Sequence, residues 1–110
     1  MLLDSIRESV IEARAVKRAR RDGWLAIKQG GQGNSAGWPD RLFVSQDGKH
    51  VWIEFKRPGG VLTELQRKKI AELAARGVAV AVCYSPDDCM ETLLSFTRPG
   101  TNYFPGAEGL

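Results

Sequence analysis

The chain has 110 residues, of which 43% are hydrophobic, and it carries a formal net charge of +3. This length supports one compact domain with a single core and is too short for two. No apolar run reaches the length of a membrane span, and no leader with a positive head and a long apolar stretch is visible. We therefore expect a cytoplasmic protein without a membrane association.

Two cysteines, Cys83 and Cys89, stand six residues apart, and no cluster of Cys or His accompanies them. This spacing supports neither a zinc site nor a disulfide framework, so we expect reduced thiols. The single histidine, His50, follows a turn and is expected to be exposed. Histidine-based catalysis and a covalent nucleophile therefore have no support in the sequence.

The first periodic segment predicts a helix from about Ser5 to Arg21. Ser5 and Glu8 have the spacing of a capping box, and Gly23 suits the end of this helix. Trp24 to Lys28 then predicts a short strand. The apolar residues of the helix recur at steps of three and four, which predicts one buried stripe composed of Leu3, Ile6, Val10, Ala13 and Val16.

A loop and a hairpin follow. Residues 29–37 include four glycines, a composition that predicts a mobile loop in the absence of a ligand. The segments Arg41 to Ser45 and His50 to Lys56 predict two antiparallel strands that Asp47-Gly48 connects. Side chains alternate along a strand, so the second of these strands places Glu54 and Lys56 on one face.

After a break at residues 57–60, a second helix is expected, with Thr63 as its N-cap and Gly77 at its end. Val78 to Cys83 is an unbroken apolar run, typical of a strand that is buried on both faces. The helix between two strands implies that they pair in parallel. The apolar face of this helix is predicted to consist of Leu62, Leu65, Ile70, Leu73 and Ala74.

A last helix is expected to begin at Ser85-Pro86-Asp87-Asp88 and to run to about Phe96. The element order is then αβββαβα. The prediction is an α/β fold with a mixed sheet flanked by helices, forming one domain over residues 1–98 with a Gly/Pro-rich tail over 99–110.

The hairpin brings together groups with catalytic potential. If the strands pair as predicted, Asp40 lies across from Glu54 and supplies, with it, two oxygen ligands for a hard divalent cation such as Mg²⁺ or Mn²⁺. The backbone carbonyl of Phe55 can complete this ligand set. Lys56 can then orient a metal-bound water or stabilise developing charge. Each motif alone also fits an ordinary turn or a solvated sheet face, whereas the two together favour a site.

These residues resemble the VRR-NUC domain, a branch of the PD-(D/E)xK nuclease superfamily with a restriction-endonuclease-like core. The resemblance extends from Ser5 to about Ser85. It is carried by Glu12, Gly37-Trp38-Pro39-Asp40, Glu54-Phe55-Lys56, the segment Lys56 to Gly60, and Gln66. Members are metal-dependent nucleases of bacteria and their viruses, and one forms the catalytic domain of a eukaryotic DNA-repair nuclease.

The resemblance implies Mg²⁺ or Mn²⁺ bound by Asp40, Glu54 and the Phe55 carbonyl, with Lys56 acting on the nucleophilic water. It adds Gln66 to the catalytic set, although Gln66 three residues after Thr63 also fits a capping box. Glu12 is a further candidate, as a metal ligand acting through water, because Glu8 is already assigned to capping.

Basic residues and one aromatic residue are candidates for contacts with nucleic acid. Cations attract phosphates, but a basic run is also the common composition of a solvated helix face. Trp38 is the tryptophan placed best for stacking on a base. The candidate set is Arg14, Lys17, Arg18, Arg21, Trp38, Arg57, Arg67 and Lys68.

The leading hypothesis is a structure-selective DNA endonuclease. The resemblance implies a homodimer that acts on branched DNA in the manner of a Holliday-junction resolvase, in a bacterial cell or in the host cell of a phage. A second hypothesis is a non-catalytic nucleic-acid-binding module of the same fold. A third is a nuclease of the same superfamily that acts on flaps, ends or nicks, or on modified DNA or tRNA.

Overall fold

The computed structural model describes residues 7–29 and 36–97. The predicted order αβββαβα is confirmed, with boundaries that differ by one to three residues. The residues of the predicted tail and most of the predicted glycine loop lie outside the described ranges. The elements are α1 (Glu8–Arg21), β1 (Leu25–Lys28), β2 (Arg41–Val44), β3 (His50–Phe55), α2 (Glu64–Ala75), β4 (Val80–Cys83) and α3 (Pro86–Thr97).

The four strands form one mixed sheet in the order β1-β2-β3-β4. The first three are antiparallel neighbours, and β3 pairs with β4 in parallel across the α2 crossover. The predicted hairpin and parallel pairing are therefore confirmed. The β2–β3 register pairs Arg41 with Ile53. In an antiparallel pair, one step back along β2 corresponds to one step forward along β3. Asp40 therefore stands at the position opposite Glu54.

One face of the sheet carries the larger core, which α1 and α3 cover. Phe43 on β2 and the residues Val51, Ile53 and Phe55 on β3 point into this core. The free thiols of Cys83 and Cys89 are buried there as well. The alternation predicted for β3 is thus confirmed.

The stripe predicted for the first helix is wrong at two positions, whereas Val16 is buried as predicted and Leu3 and Ile6 lie outside the described residues. Val10 and Ala13 are exposed, and the apolar residues that α1 buries are Ile11, Ala15, Val16 and Ala19. The start of the helix also differs: the N-cap is Arg7, which makes no side-chain capping bond. Ser5 lies outside the described residues, and Glu8 is the first helical residue rather than its capping partner.

The opposite face of the sheet is covered by α2 over its β3–β4 half. Ile70 and Leu73 pack there on Val80, with Trp38 and Trp52 at the border. Leu65, predicted for this apolar face, instead points to solvent. Thr63 is the N-cap as predicted, and its side chain and that of Gln66 form a complete capping box.

The β1–β2 half of that face stays open to solvent. Leu25 and Ile27 are 63% and 51% exposed, and they pair across the strands with Val44 and Leu42. None of the helices in residues 7–29 and 36–97 is long and apolar enough to cross a membrane.

Candidate metal and nucleic-acid site

Two carboxylates meet where β2 begins and β3 ends. Asp40 precedes β2, and its Oδ2 accepts a hydrogen bond from the Phe55 backbone N–H at 2.8 Å. Glu54 is only 2% exposed, and its Oε2 accepts from Gln66 Nε2 at 2.9 Å. Glu54 Oε1 is buried and has no hydrogen-bond partner among the residues that the structure describes. A buried acceptor without a donor is costly, so this oxygen requires a ligand or a proton.

The electrostatics of this pair lead to the same requirement. The pKa of Glu54 is raised to about 8, chiefly by burial and next by the negative charge of Asp40, against the opposing effect of Lys56. The pKa of Asp40 is also raised, chiefly by burial, although the Phe55 N–H opposes that shift. The charged form of this pair is thus disfavoured unless a cation or a proton compensates it.

Lys56 completes this group from the end of β3. Its ammonium nitrogen lies 4.0 Å from Glu54 Oε2 and 3.9 Å from Glu8 Oε2, and its side chain is largely buried. Two carboxylates therefore hold Lys56 beside the Asp40–Glu54 pair.

Glu8 is a member of this site that the sequence interpretation missed. Its charge raises the pKa of both Asp40 and Glu54, and it contacts Lys56. Glu8 was assigned to capping because of its spacing from Ser5. The available signal was that Glu8 lies one helical turn before Glu12 and so shares its face of the helix.

Glu12 makes a different set of contacts. Its Oε2 accepts from Arg41 Nε at 2.6 Å and from Lys28 Nζ at 2.9 Å. Arg41 directly follows Asp40 in sequence, so this largely buried ion pair fixes α1 against the start of β2. Its predicted place in a metal shell remains a prediction, and Glu8 rather than Glu12 is the helix carboxylate that contacts Lys56.

Gln66 makes the predicted capping contact and also contacts Glu54, while its catalytic role remains a prediction. Its side-chain oxygen accepts from the Thr63 backbone N–H at 2.9 Å, while its side-chain nitrogen donates to Glu54. The capping box therefore fixes the amide that holds Glu54 in place.

The segment Gly37-Trp38-Pro39 delivers Asp40 to the site. Pro39 is fully buried. The Trp38 ring lies 5.6 Å from that of Trp52, and the Lys69 ammonium lies 4.8 Å from the Trp38 ring centre. The ring of Trp38 is thus packed and half-buried, and its predicted stacking on a base remains a prediction.

We expect Gly37→Ala to displace Asp40 and to weaken the fold. Gly37 has a φ of +83°, and a Cβ atom there would lie 2.7 Å from the Leu65 carbonyl oxygen. The backbone strain alone costs about 1–3 kcal/mol. Gly48→Ala is the matched control, because Gly48 has a φ of +89° and nothing within 4 Å. The difference between the melting temperatures of the two variants measures the effect of the clash with Leu65. Equal losses of stability in the two variants would contradict this account.

The basic candidates fall into two groups. On α1, Arg14, Lys17, Arg18 and Arg21 form a stripe that lies roughly half a turn away from Glu12. Arg18 pairs there with Asp87 at 2.6 Å. This stripe therefore points away from the carboxylates. The second group is exposed and comprises Arg57, which follows Lys56, and Arg67 and Lys68, which follow Gln66 on α2.

The residues present fit a hard divalent cation. No group of three His, Cys, Asp or Glu side chains in residues 7–29 and 36–97 is arranged to hold a metal ion by itself. The site offers two carboxylates, and Mg²⁺ is commonly bound by one or two carboxylates with water and substrate phosphates in its other positions. The unpartnered Glu54 Oε1 and the raised pKa of Glu54 both fit a cation bound at this carboxylate.

Comparisons with known proteins match this geometry. The VRR-NUC domain model matches residues 4–87. A protein of Acyrthosiphon pisum secondary endosymbiont phage 1, named "Putative nuclease p44", is 39% identical over 82 residues, which cover 74% of this chain and 87% of that protein. A solved VRR-NUC domain structure superposes with a TM-score of 0.72 at 22% identity, covering 81% of this chain and 96% of the other. This chain therefore belongs to the VRR-NUC family of nucleases.

Proposed function

We propose that this nuclease is a divalent-metal-dependent DNA endonuclease that hydrolyses phosphodiester bonds. The observation that carries the proposal is the meeting of Asp40 and Glu54, with one buried oxygen of Glu54 left without a donor among the described residues. Two carboxylates in this state match a hard cation and destabilise the fold without one.

Each residue of the site has a role in the proposal. Asp40, Glu54 and the Phe55 carbonyl would hold Mg²⁺ or Mn²⁺, which supplies Lewis acidity and lowers the pKa of bound water. Lys56, whose ammonium lies 4.0 Å from Glu54 Oε2, would stabilise the charge that develops on the attacking water and the scissile phosphate. Gln66 keeps Glu54 in one orientation, and Glu8 keeps Lys56 in position.

The proposed substrate is branched DNA, with resolution of four-way junctions as the leading case and roles in DNA repair as its setting. A two-fold dimer presents two sites to two strands of equivalent geometry. The open half of the sheet supports a dimer. An apolar area extends across the edge strand β1 and its neighbour β2. It consists of Leu25, Ile27, Leu42 and Val44.

We expect Ile27→Lys to convert the dimer into a monomer. The substitution buries an unpaired ammonium in the dimer contact, and the two-fold symmetry repeats this cost in the second protomer. The dissociation constant of the dimer should therefore rise at least about tenfold. The measurement is molar mass by light scattering at several protein concentrations. Leu94→Lys on α3 is the control, since Leu94 is similarly exposed at 55%. A monomeric parent protein at micromolar concentration would count against junction resolution.

The function is tested by cleavage of labelled four-way junctions, flaps, nicked duplex, single strands and plain duplex with Mg²⁺, with Mn²⁺ or with a chelator. Paired symmetric cuts on the junction, abolished by the chelator and in Lys56→Ala, are expected. Preferential cutting of another substrate would retain the site and overturn junction resolution. Salt-sensitive binding without cutting under any metal would overturn the endonuclease proposal in favour of a binding module.

A further inference from the structure

We propose that Val61 and Leu65 form an apolar wedge that unstacks bases at the branch point of the DNA while the adjacent carboxylates receive the scissile phosphate. This inference rests on the proposed function and names the feature of the substrate that the site recognises. We call this pair the wedge.

The wedge is exposed although its residues are large and apolar. Val61 is 73% exposed and Leu65 is 59% exposed. Val61 lies in the turn before α2, and Leu65 lies in the first turn of the helix. Single exposed apolar residues are ordinary on a protein surface. This pair differs because two such residues stand four positions apart beside the candidate site.

Contacts place each member of the wedge next to the site. Leu65 precedes Gln66, whose side chain donates to Glu54 at 2.9 Å. A Cβ at Gly37, in the segment that delivers Asp40, would lie 2.7 Å from the Leu65 carbonyl oxygen, so the two backbone segments approach closely. Val61 follows Gly60, where a Cβ would lie 3.5 Å from Glu8 Oε2, the oxygen that contacts Lys56.

The charge around the wedge suits DNA rather than another apolar partner. Residues 57–68 carry Arg57, Arg67 and Lys68 against the single acid Glu64. All three cations are exposed. Cations of this kind contact phosphates, while an apolar side chain between them can insert between base steps. Proteins that insert apolar side chains in this way kink and partly unstack the duplex.

A branch point is the substrate at which such a wedge costs least. Bases at a junction or flap are already less completely stacked than those within a continuous duplex, so less unstacking energy is needed there. The wedge therefore makes branched DNA a better substrate without reading its sequence.

The test compares the double variant Val61→Ser/Leu65→Ser with Leu94→Ser, a change of an exposed leucine on α3. Both wedge side chains are exposed, so the melting temperature should be unchanged. Cleavage of a four-way junction should fall about tenfold or more in the double variant. Cleavage of a substrate with unpaired bases at the cut site should be retained, and Leu94→Ser should behave as the parent.

A second measurement is independent of turnover. Each protein also carries Asp40→Asn to keep the DNA intact, and the junction carries 2-aminopurine beside the branch point. The parent should raise the 2-aminopurine fluorescence on binding, and the wedge variant should lose most of this rise. An equal rise in both proteins, or no rise in either, overturns the wedge.

The two proposals can fail separately. A fluorescence rise that depends on the wedge, without cleavage of any substrate by the otherwise unchanged protein, would overturn the endonuclease and retain the wedge. Cleavage that is equal in the parent and the double variant would overturn the wedge alone. Loss of the dimer in the double variant, measured by light scattering, would overturn the wedge and assign the pair to a contact between protein chains.

Discussion

Asp40→Asn is expected to abolish DNA cleavage while the protein remains folded. In the structure, Asp40 accepts a hydrogen bond from the Phe55 N–H at 2.8 Å, and the side-chain oxygen of an asparagine can still accept that bond. The variant therefore loses the charge without losing the hydrogen bond. Metal catalysis of this kind supplies several kcal/mol of transition-state stabilisation, so the cleavage rate should fall at least about a thousandfold.

Three measurements check this expectation: single-turnover cleavage of the preferred DNA, the melting temperature, and titration of Mg²⁺ or Mn²⁺ followed by calorimetry. The variant should bind metal at least about tenfold more weakly, because one of two charged ligands is gone. Asp87→Asn provides the control, since it makes the same chemical change on an exposed residue that pairs with Arg18. Undiminished cleavage by Asp40→Asn would remove Asp40 from the catalytic set.

The geometry of the Asp40–Glu54 pair was predictable because it depends on local rules. A turn from Ser45 to Gly48, closed by a hydrogen bond from the Gly48 N–H to the Ser45 carbonyl, sets the hairpin register, and a period of two sets which residues share a face. Both rules act within a few residues, and the structure follows them. Gln66 was predictable for the same reason, because a capping box requires only the spacing of three residues from Thr63.

The phase of the first helix was not predictable from periodicity alone. Two overlapping sets of apolar residues on this helix both step by three and four. The set that is buried includes Ala15 and Ala19, which are fully buried where α1 packs closely on the sheet and α3. A search for periodic apolar residues favours large side chains over alanine. It therefore indicated the stripe that includes Val10.

The error in helix phase carried over to the acidic residues. The first helical residue is Glu8 instead of a residue near Ser5, and the partner of Glu12 lies 29 positions away, at Arg41. Such an ion pair exists only after the sheet has formed. No spacing rule indicates it, so the contacts of Glu8 and Glu12 became visible only in the structure.

Leu65 shows how one fixed contact sets the exposure of its neighbours. The capping box and the bond to Glu54 direct Gln66 toward the sheet. Successive helical residues are about 100° apart, so Leu65 points away from that direction. The same constraint that builds the candidate site thus leaves an apolar side chain exposed at its edge.

Glu54→Gln is expected to stabilise the metal-free protein at pH 8 and to change its stability little below pH 4.5. The folded pKa of Glu54 is raised to about 8 from its ordinary value of 4.5, with burial as the largest cause. Between these values the folded state binds more protons than the unfolded state. Stability therefore falls as the pH rises through this window, by on the order of a few kcal/mol. The neutral amide removes this loss.

Added metal should act in the opposite direction. A cation at Glu54 compensates its charge, so Mg²⁺ or Mn²⁺ should raise the melting temperature of the parent more at pH 8 than at pH 5, since protons compete for the site at the lower pH. Glu54→Gln should lose most of this response. Glu72→Gln is the control, because Glu72 is exposed, pairs with Lys69 and has a lowered pKa. If the melting temperature of the metal-free parent rises between pH 5 and pH 8, ionisation of Glu54 does not destabilise the folded protein, and this account of the site is contradicted.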